Sequence, residues 1–530
     1  MNGLAVFLAA SPVIVIFLLL VIRRTPADTA GTIGWVVTLG IACLYFRTDP
    51  VVALGASLTG LVASFPISLM VAASIFQMTF MMETGAVRRI VVAMKSVSPQ
   101  DRVAQILMIN VGFGTLITAL GATPVSMLPP IMVALGYSSF VAIALPAIGY
   151  DSLCTYALLS IPAVVFTDVL GPIAQSAGVT LTLQDAGFLF ARYIPIVTTA
   201  IALGMFWIVG RGGMVLRGLV PALLTGAVAG LVCRGMASLD LVPLTGIVAG
   251  VAIVAIIALV LVVRRKPVFD ERVLDTNDLA IKGQQRLIVA ASPWILLLCF
   301  AALVNLKVLP FFDLFFTKNR LALTIIPGKP IATRVLWQAY TWVAVSTLLA
   351  AFFLKPSAAQ WRTVFQKTCK RAPRPVWAAG IYFAIAYLID HSGKGPDWVM
   401  AEGGRNMVHV MAAAAAAGFG SLYGLVAPYL GLLAGFVAGS ETSAIAMLSR
   451  FHIETATALG KPFHVGLLLA AASGIGGGLA SVISPAKLQN AAAIIDRIGE
   501  EGKVLRTTVV ISLVITLLAA VATLIWCGMG

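Results

Sequence analysis

The chain is 530 residues long, 60% hydrophobic and 11% charged, with a mean hydropathy of +1.00. Soluble domains carry about 25% charged residues, so a soluble globular protein is excluded and a polytopic, multi-pass membrane protein is implied. A formal net charge of +15 would suggest nucleic acid in a soluble chain. Here the basic residues cluster at the ends of apolar runs, as positive-inside bias requires, and no nucleic-acid partner is expected.

A membrane span needs about 20 apolar residues. On that ruler the spans fall at roughly 4–22, 30–46, 66–83, 139–167, 187–210, 214–235, 241–263, 286–306, 336–354, 375–391, 464–486 and 506–527. The first run is too long for a signal h-region and lacks a basic n-region before it, so it reads as a span and not a cleaved signal. Two further runs, about 103–136 and 410–448, each carry a central break. They read as re-entrant hairpins that enter and leave on one side, because broken backbone at membrane depth persists only when buried in protein or lining a cavity.

With the runs arranged in this way, Arg23/Arg24, Arg88/Arg89/Lys95/Arg102, Arg211, Arg264/Arg265/Lys266, Arg362/Lys367/Lys370/Arg371/Arg374 and Lys487/Arg497/Lys503/Arg506 fall on one side, which is cytoplasmic. Both termini then face outward. Lys307, Lys318, Arg320, Lys329 and Arg334 resist the scheme, in a loop over 307–335 that reads either as an exposed, partly amphipathic excursion or as an electropositive vestibule that attracts anions.

The halves match as inverted repeats, 1–210 and 286–530, joined by linker helices and a cytoplasmic loop over 211–285. Before the first hairpin, Glu83 to Arg102 mixes Ile90, Val91 and Met94 with Arg88, Arg89 and Lys95, as an interfacial amphipathic helix does. Asp397 to His409 is expected to play that part on the opposite face.

The interruptions hold the residues that could carry chemistry. The first hairpin tip offers Gly121, Thr123 and Ser126, and the second offers Gly439, Ser440, Glu441, Thr442 and Ser443. Each hairpin is followed by a span with its own break: Pro146 to Ser152, holding Tyr150, Asp151 and Ser152, and Ser473 to Gly478, leading on to Ser484 and Pro485. Glycine lets a helix unwind and backbone approach a ligand, and half-helix N-termini present unpaired amides to an anion. Matched interruptions in two halves are the sequence pointer to a transporter's binding site, and four broken elements at the midplane would build a small anion pocket.

Between Val103 and Ala191 there is no Lys or Arg, and Asp168 and Asp185 are assigned to a loop, so Asp151 is the acid inside the membrane region. It reads either as functional or as a protonated acid hydrogen-bonded between helices. Glu441 has the same standing, its bland alternative being exposure at the hairpin's aqueous mouth. Asp390 and His391 end a span and read as interfacial, with a proton relay as the alternative. His409, His452 and His464 share no metal spacing. The six cysteines (Cys43, Cys154, Cys233, Cys299, Cys369, Cys527) show no CxxC pair and read as packing residues. No P-loop lysine motif, HExxH or GxSxG is present, so neither ATP-driven pumping nor common hydrolase chemistry has support. No cofactor or metal is expected.

Ser98-Pro99-Gln100-Asp101-Arg102, Pro124-Val125 with Leu135-Gly136, Gly439-Ser440-Glu441-Thr442-Ser443 and Ile483-Ser484-Pro485, in this order and spacing, resemble the lactate permease family, bacterial carriers for L-lactate and glycolate. The likeness covers most of the chain. Its departures are informative: the family's Glu-bearing hairpin ending Gly-Phe-Gly-Ala-Pro is here Ile117-Thr-Ala-Leu-Gly-Ala-Thr123-Pro124, without the acid, and its Asn-Thr-Ala-Pro is here Tyr150-Asp151-Ser152-Leu153. Glu441 stands where the family carries a shorter acid.

The resemblance implies the ion-transporter-superfamily fold: all-α, with two inverted repeats, about twelve spans and two re-entrant hairpins. It also implies elevator-like movement and a place in the bacterial inner membrane. The expected function is secondary transport of a small organic anion, with proton-coupled uptake of a monocarboxylate such as lactate or glycolate first. The alternatives are a sodium- or proton-coupled carrier for a dicarboxylate or sulfonate and, further off, a channel or membrane-embedded enzyme. Glu441, acidic in the family too, is preferred over Asp151 as the proton carrier. Membrane lipid is the other partner, and a homodimer stays open.

Overall fold

The computed structural model describes residues 3–23, 25–98, 100–121, 123–306 and 308–529; Arg24, Pro99 and Lys307, named above, lie outside the described residues. Among those described, eleven helical stretches are long and apolar enough to cross a membrane, and four shorter apolar helices accompany them. In hydrocarbon each backbone group must find its partner within the protein, which is why runs of Leu, Val, Ile and Ala become helices here. The chain is an all-α polytopic membrane protein except for one two-stranded antiparallel sheet, Leu321–Ile326 with Lys329–Thr333. That sheet lies in the basic loop, where no strand was expected.

Contacts sort the loops onto two faces. On one, Lys95 pairs with Asp278, Lys266 with Asp101 and Lys367 with Glu83, while Ser139 meets Glu500 and Tyr137 meets Gln105. The Ala86–Lys95 helix lies there and buries Ala86, Ile90, Val92 and Met94. On the other face, Arg334 pairs with Asp168 and Arg450 with Asp390, and the Asp49 amide donates to the Lys394 carbonyl.

Several boundaries differ from the hydropathy reading. The 187–210 run is split between Leu183–Ala191 and the first arm of Ile194–Ser238, a stretch that also takes in the 214–235 run and turns back at Gly210 (φ −143°, ψ 15°) and Arg211 (φ 52°, ψ −150°). Its two arms pack through Gly218 against Phe206 and through Gly226 and Gly230 against Thr199 and Pro195, a small-xxx-small face. Further helices fall where none was expected, among them Thr276–Gln284 in the expected cytoplasmic loop. Pro50–Ala63 is capped by Asp49 and is shorter than a span; Ala358–Arg371, opened by a Ser357/Gln360 capping box, is amphipathic and its Val364 is buried.

The 410–448 run is not a single hairpin. Met407–Phe419 is a helix of its own, ended at Gly420 (φ 50°, ψ −131°), and the arms that double back are Tyr423–Ala438 and Glu441–Ala458. Asp397 to His409 is not an amphipathic helix: positive φ at Gly393 and Gly403 and Pro396 keep the backbone in turns until Asn406 caps Met407. Asp168 is not in a loop but inside Ala157–Ser176, while Asp185 completes a capping box with Thr182.

Glycine brings the second-half helices into backbone contact. A Cβ at Gly431 would stand 1.8 Å from the Ser473 carbonyl oxygen, and one at Gly476 would stand 1.9 Å from that of Pro428, so Tyr423–Ala438 and Phe463–Gly478 pack at a distance no other residue permits. Gly466 meets Ile453, Gly474 meets Ile445 and Gly477 meets Ala444, which sets Phe463–Gly478 antiparallel to Glu441–Ala458. Elsewhere Gly60 meets the Phe383 backbone, joining Pro50–Ala63 to Pro373–Asp390.

Candidate functional site

Both spans break, but later than the glycine runs suggest: Pro146 to Tyr150 is still helical and the first break begins at Asp151, while Ser473 to Gly478 lies wholly inside a helix and the second break follows it. Ser139–Tyr150 gives way to a tight turn over Asp151–Tyr156 before Ala157–Ser176 resumes, with Leu158, Leu159 and Ser160 at positive φ. Phe463–Gly478 gives way at Leu479, and the chain passes through Ser481–Ile483 into Pro485–Ile494. The first run doubles back as well: Arg102–Ile106 leads through a wide helical turn, Leu107–Phe113, into Gly114–Ala119 and returns as Pro124–Ala134. Asn110 lies against Met132.

The two breaks and the second hairpin tip converge on one polar cluster. Asp151 Oδ2 accepts a hydrogen bond from the Val482 amide at 3.1 Å, so each break anchors the other. Glu441, the first residue of Glu441–Ala458, accepts from the Thr155 hydroxyl of the first break. Gly478 makes room for it, since a Cβ there would stand 2.7 Å from Glu441 Oε2. Asp151 and Glu441 are 4% and 3% exposed, and Asp151 Oδ1 and Glu441 Oε2 are buried without a hydrogen-bond partner. Glu441 is therefore not at an exposed mouth, as the bland alternative had it.

The third charge is one the sequence reading assigned to a cytoplasmic loop. Lys487, on the first turn of Pro485–Ile494, turns its ammonium back into the break: Nζ donates to Ser481 Oγ at 2.6 Å and sits 4.1 Å from the centre of the Tyr150 ring. It lies within electrostatic reach of Asp151 and Glu441 yet forms an ion pair with neither. Three residues on, Asn490 Nδ2 donates to Ser126 Oγ at 2.9 Å, and Ser126 also bonds Thr123. One short helix thus joins the first hairpin tip to the charged cluster.

The other expected site residues divide. Gly121 (φ +90°) turns the first tip against Met70, Ser74 and Leu158, and Gly439 (φ +68°) turns the second. Ser440 precedes Glu441 without a side-chain capping bond, Thr442 is buried, and Ser443 Oγ is buried without a partner. Ser484 opens Pro485–Ile494, its carbonyl accepting from the Lys487 and Leu488 amides. Ser152 is turned away from Lys487: its hydroxyl bonds Thr115 and the Gly149 carbonyl, and its own carbonyl accepts from Thr198. Ser473 lies under the Gly431 contact, on the packing face between helices.

Interrupted helices that meet within the membrane region around two acids, an ammonium and small hydroxyls define a membrane transporter. The family model for L-lactate permease matches residues 5–529, and the chain belongs to that family. It is similar to the L-lactate permease of Escherichia coli K12 (23% identity, covering 98% of this chain and 95% of the relative). It is also similar to that of Bacillus subtilis 168 (24%, 98% and 95%) and to the glycolate permease of E. coli K12 (23%, 99% and 96%). These relatives are permeases and not enzymes.

Proposed function

We propose that the chain is a cation-coupled carrier of a short 2-hydroxymonocarboxylate, lactate or glycolate, in which Lys487 receives the carboxylate and Glu441 carries the coupling proton. The observation that carries this reading is the single ammonium. Among the described residues Lys487 is the one cation in the polar cluster, which matches one carboxylate, whereas a dicarboxylate would call for a second. Lactate and glycolate are what the relatives' names give as cargo, and both are 2-hydroxymonocarboxylates.

Substrate carboxylate and Glu441 then compete for one ammonium. When the anion takes Lys487, Glu441 is left buried beside it without a counter-charge, and taking up a proton removes that cost. The two ligands therefore enter together. The glycine contacts that lock Tyr423–Ala438 and Glu441–Ala458 to Phe463–Gly478 favour this group moving as one body against Pro50–Ala63 and Pro373–Asp390, in an elevator-like step. The face bearing Ala86–Lys95 and Ala358–Arg371 is the cytoplasmic one.

Uptake of L-lactate, glycolate, malate and a sulfonate into proteoliposomes, under imposed proton or sodium gradients, tests the proposal. Proton-driven accumulation of the two hydroxy acids is the expected result. Accumulation of malate alone would overturn the substrate, and a requirement for sodium would overturn the role of Glu441.

A further inference from the structure

A cavity of about 820 Å³ opens on the face opposite Ala86–Lys95. Three arginines and three aspartates line it: Arg320, Arg334, Arg450, Asp168, Asp240 and Asp390. Its walls are thus balanced in charge and make no broadly electropositive vestibule, so any anion held there must be held by local donors.

Such donors are present where the basic loop closes the cavity. Arg334 lies over the Phe316 ring, its guanidinium carbon 4.3 Å from the ring centre, and Trp337 packs edge-on to the same ring at 5.0 Å. One arm of Arg334, Nη1, reaches Asp168 at 3.3 Å. Its Nε is buried and donates to nothing, and so is the Nε1 of Trp337, a residue 6% exposed. Trp337 shares an apolar cluster with Val164 and Val304, and the next residue, Asn305, is 5% exposed; its amide nitrogen donates to the Ala301 carbonyl while its Oδ1 has no partner. Arg450, by contrast, is engaged by Asp390 and Glu454. Buried polar groups are almost always satisfied, so two idle donors and one idle acceptor around one cavity point to a ligand that supplies two acceptors and one donor.

We propose that this cavity holds an outer site for a small 2-hydroxymonocarboxylate, a class that rests on the function proposed above. The carboxylate accepts from Arg334 Nε and Trp337 Nε1, and the hydroxyl donates to Asn305 Oδ1. The site lies on the route inward, for Ala446 and Met447 also line the cavity, and Ala446 is five residues along the helix from Glu441, about 7.5 Å deeper at 1.5 Å per residue. Substrate held under the sheet is thereby presented to the cluster at Lys487.

Equilibrium binding of radiolabelled L-lactate and glycolate to the purified full-length protein tests this. The wild type should bind two molecules per chain. Arg334→Gln should lose one of them, with affinity at the outer site down about tenfold or more. Trp337→Phe and Asn305→Leu should weaken the same site, and Lys487→Gln should leave it. Acetate, which lacks the hydroxyl, should not distinguish Asn305→Leu from wild type. Melting curves separate a lost site from a misfolded variant, with Trp337→Phe as the milder probe. One molecule per chain, lost in Lys487→Gln and kept in Arg334→Gln, would overturn the outer site alone. No binding of either acid would overturn the proposed substrate and the outer site together.

Discussion

Replacing Lys487 by Gln keeps a hydrogen-bond donor of similar length and removes the charge, which isolates what the ammonium does. The structure gives it one hydrogen bond, to Ser481 at 2.6 Å, and one ring contact, to Tyr150 at 4.1 Å. Neither consumes more than one of its three N–H donors, so at least one remains for a ligand oxygen. A hydrogen bond to a charged group contributes about 1.5–3 kcal/mol, and about 1.4 kcal/mol is a factor of ten. The KM for L-lactate counterflow should therefore rise about 10- to 150-fold in Lys487→Gln. Lys487→Arg should recover part of the loss, because a guanidinium also stacks on Tyr150 and pairs with a carboxylate, and Tyr150→Phe, which keeps the ring face, should change KM little. Counterflow is the suitable assay because it needs binding and translocation but no net coupling, and size-exclusion profiles of each variant check that folded protein is compared. An unchanged KM in Lys487→Gln, with folded protein in hand, would refute the assignment.

Glu441→Gln should abolish accumulation driven by a proton gradient while retaining part of the substrate exchange, since exchange need not deprotonate the site; normal accumulation would remove Glu441 from the coupling role. Gly431→Ala places a methyl 1.8 Å from the Ser473 oxygen and should cost about 1–3 kcal/mol or more through overpacking, read as a lower Tm beside a neutral control at Gly418, where nothing stands within 4 Å. Asp101 caps Arg102–Ile106 and pairs with Lys266: burial raises its pKa, but the Lys266 ammonium and the Val103 and Ala104 amides outweigh that and hold it below the usual carboxylate value. A depressed folded pKa gives stability that is present above the unfolded value and lost as the pH falls through the folded one, so Asp101→Asn should lower Tm at neutral pH, with the gap to wild type closing below about pH 4. A cysteine at Arg405 should react with a membrane-impermeant thiol reagent on intact cells, and one at Arg102 only after permeabilisation; labelling of both from outside would break the opposed placement of the two hairpins.

Most of the helical framework was legible because hydropathy reports the solvent a segment sits in, and a run of twenty Leu, Val and Ala has one stable form in a bilayer. Interruptions were legible only in part: Gly121 and Gly439 mark turns at positive φ, but Gly476 and Gly477 lie inside Phe463–Gly478 and serve its packing against Pro428 and Ala444, and the break itself comes after Gly478. What hydropathy could not separate was where one apolar run holds two helices. Ala412 to Gly418 continues smoothly into the second hairpin by composition, and only the backbone of Gly420 (φ 50°, ψ −131°) ends Met407–Phe419 there. Pro50–Ala63 escaped because Ser57, Thr59 and Gly60 dilute it. These same residues face inward, Gly60 against the Phe383 backbone and Ser57 bonded to Trp35.

Lys487 was misplaced for a reason that also explains its role. Lys487 lies 24 positions beyond Phe463, about 36 Å if helical throughout and more than the roughly 30 Å hydrocarbon core, so a straight span would carry the lysine out into water beside Arg497 and Lys503. The chain does not run straight. It stops at Leu479, turns through Ser481–Ile483 and restarts at Pro485, and the Lys487 ammonium reaches back six residues to Ser481. A break consumes residues without advancing along the span, and so keeps at the level of Asp151 and Glu441 a charge that residue counting would place at the surface. Under the proposed function, the break and the cation that it holds back at membrane depth are therefore one device. Replacing Gly478, the last helical residue before the break, by Ala should abolish substrate binding even in any fraction that folds, because it would drive a methyl against Glu441 Oε2. Retained L-lactate binding in that variant would show that the room Gly478 leaves for Glu441 is not part of the binding site.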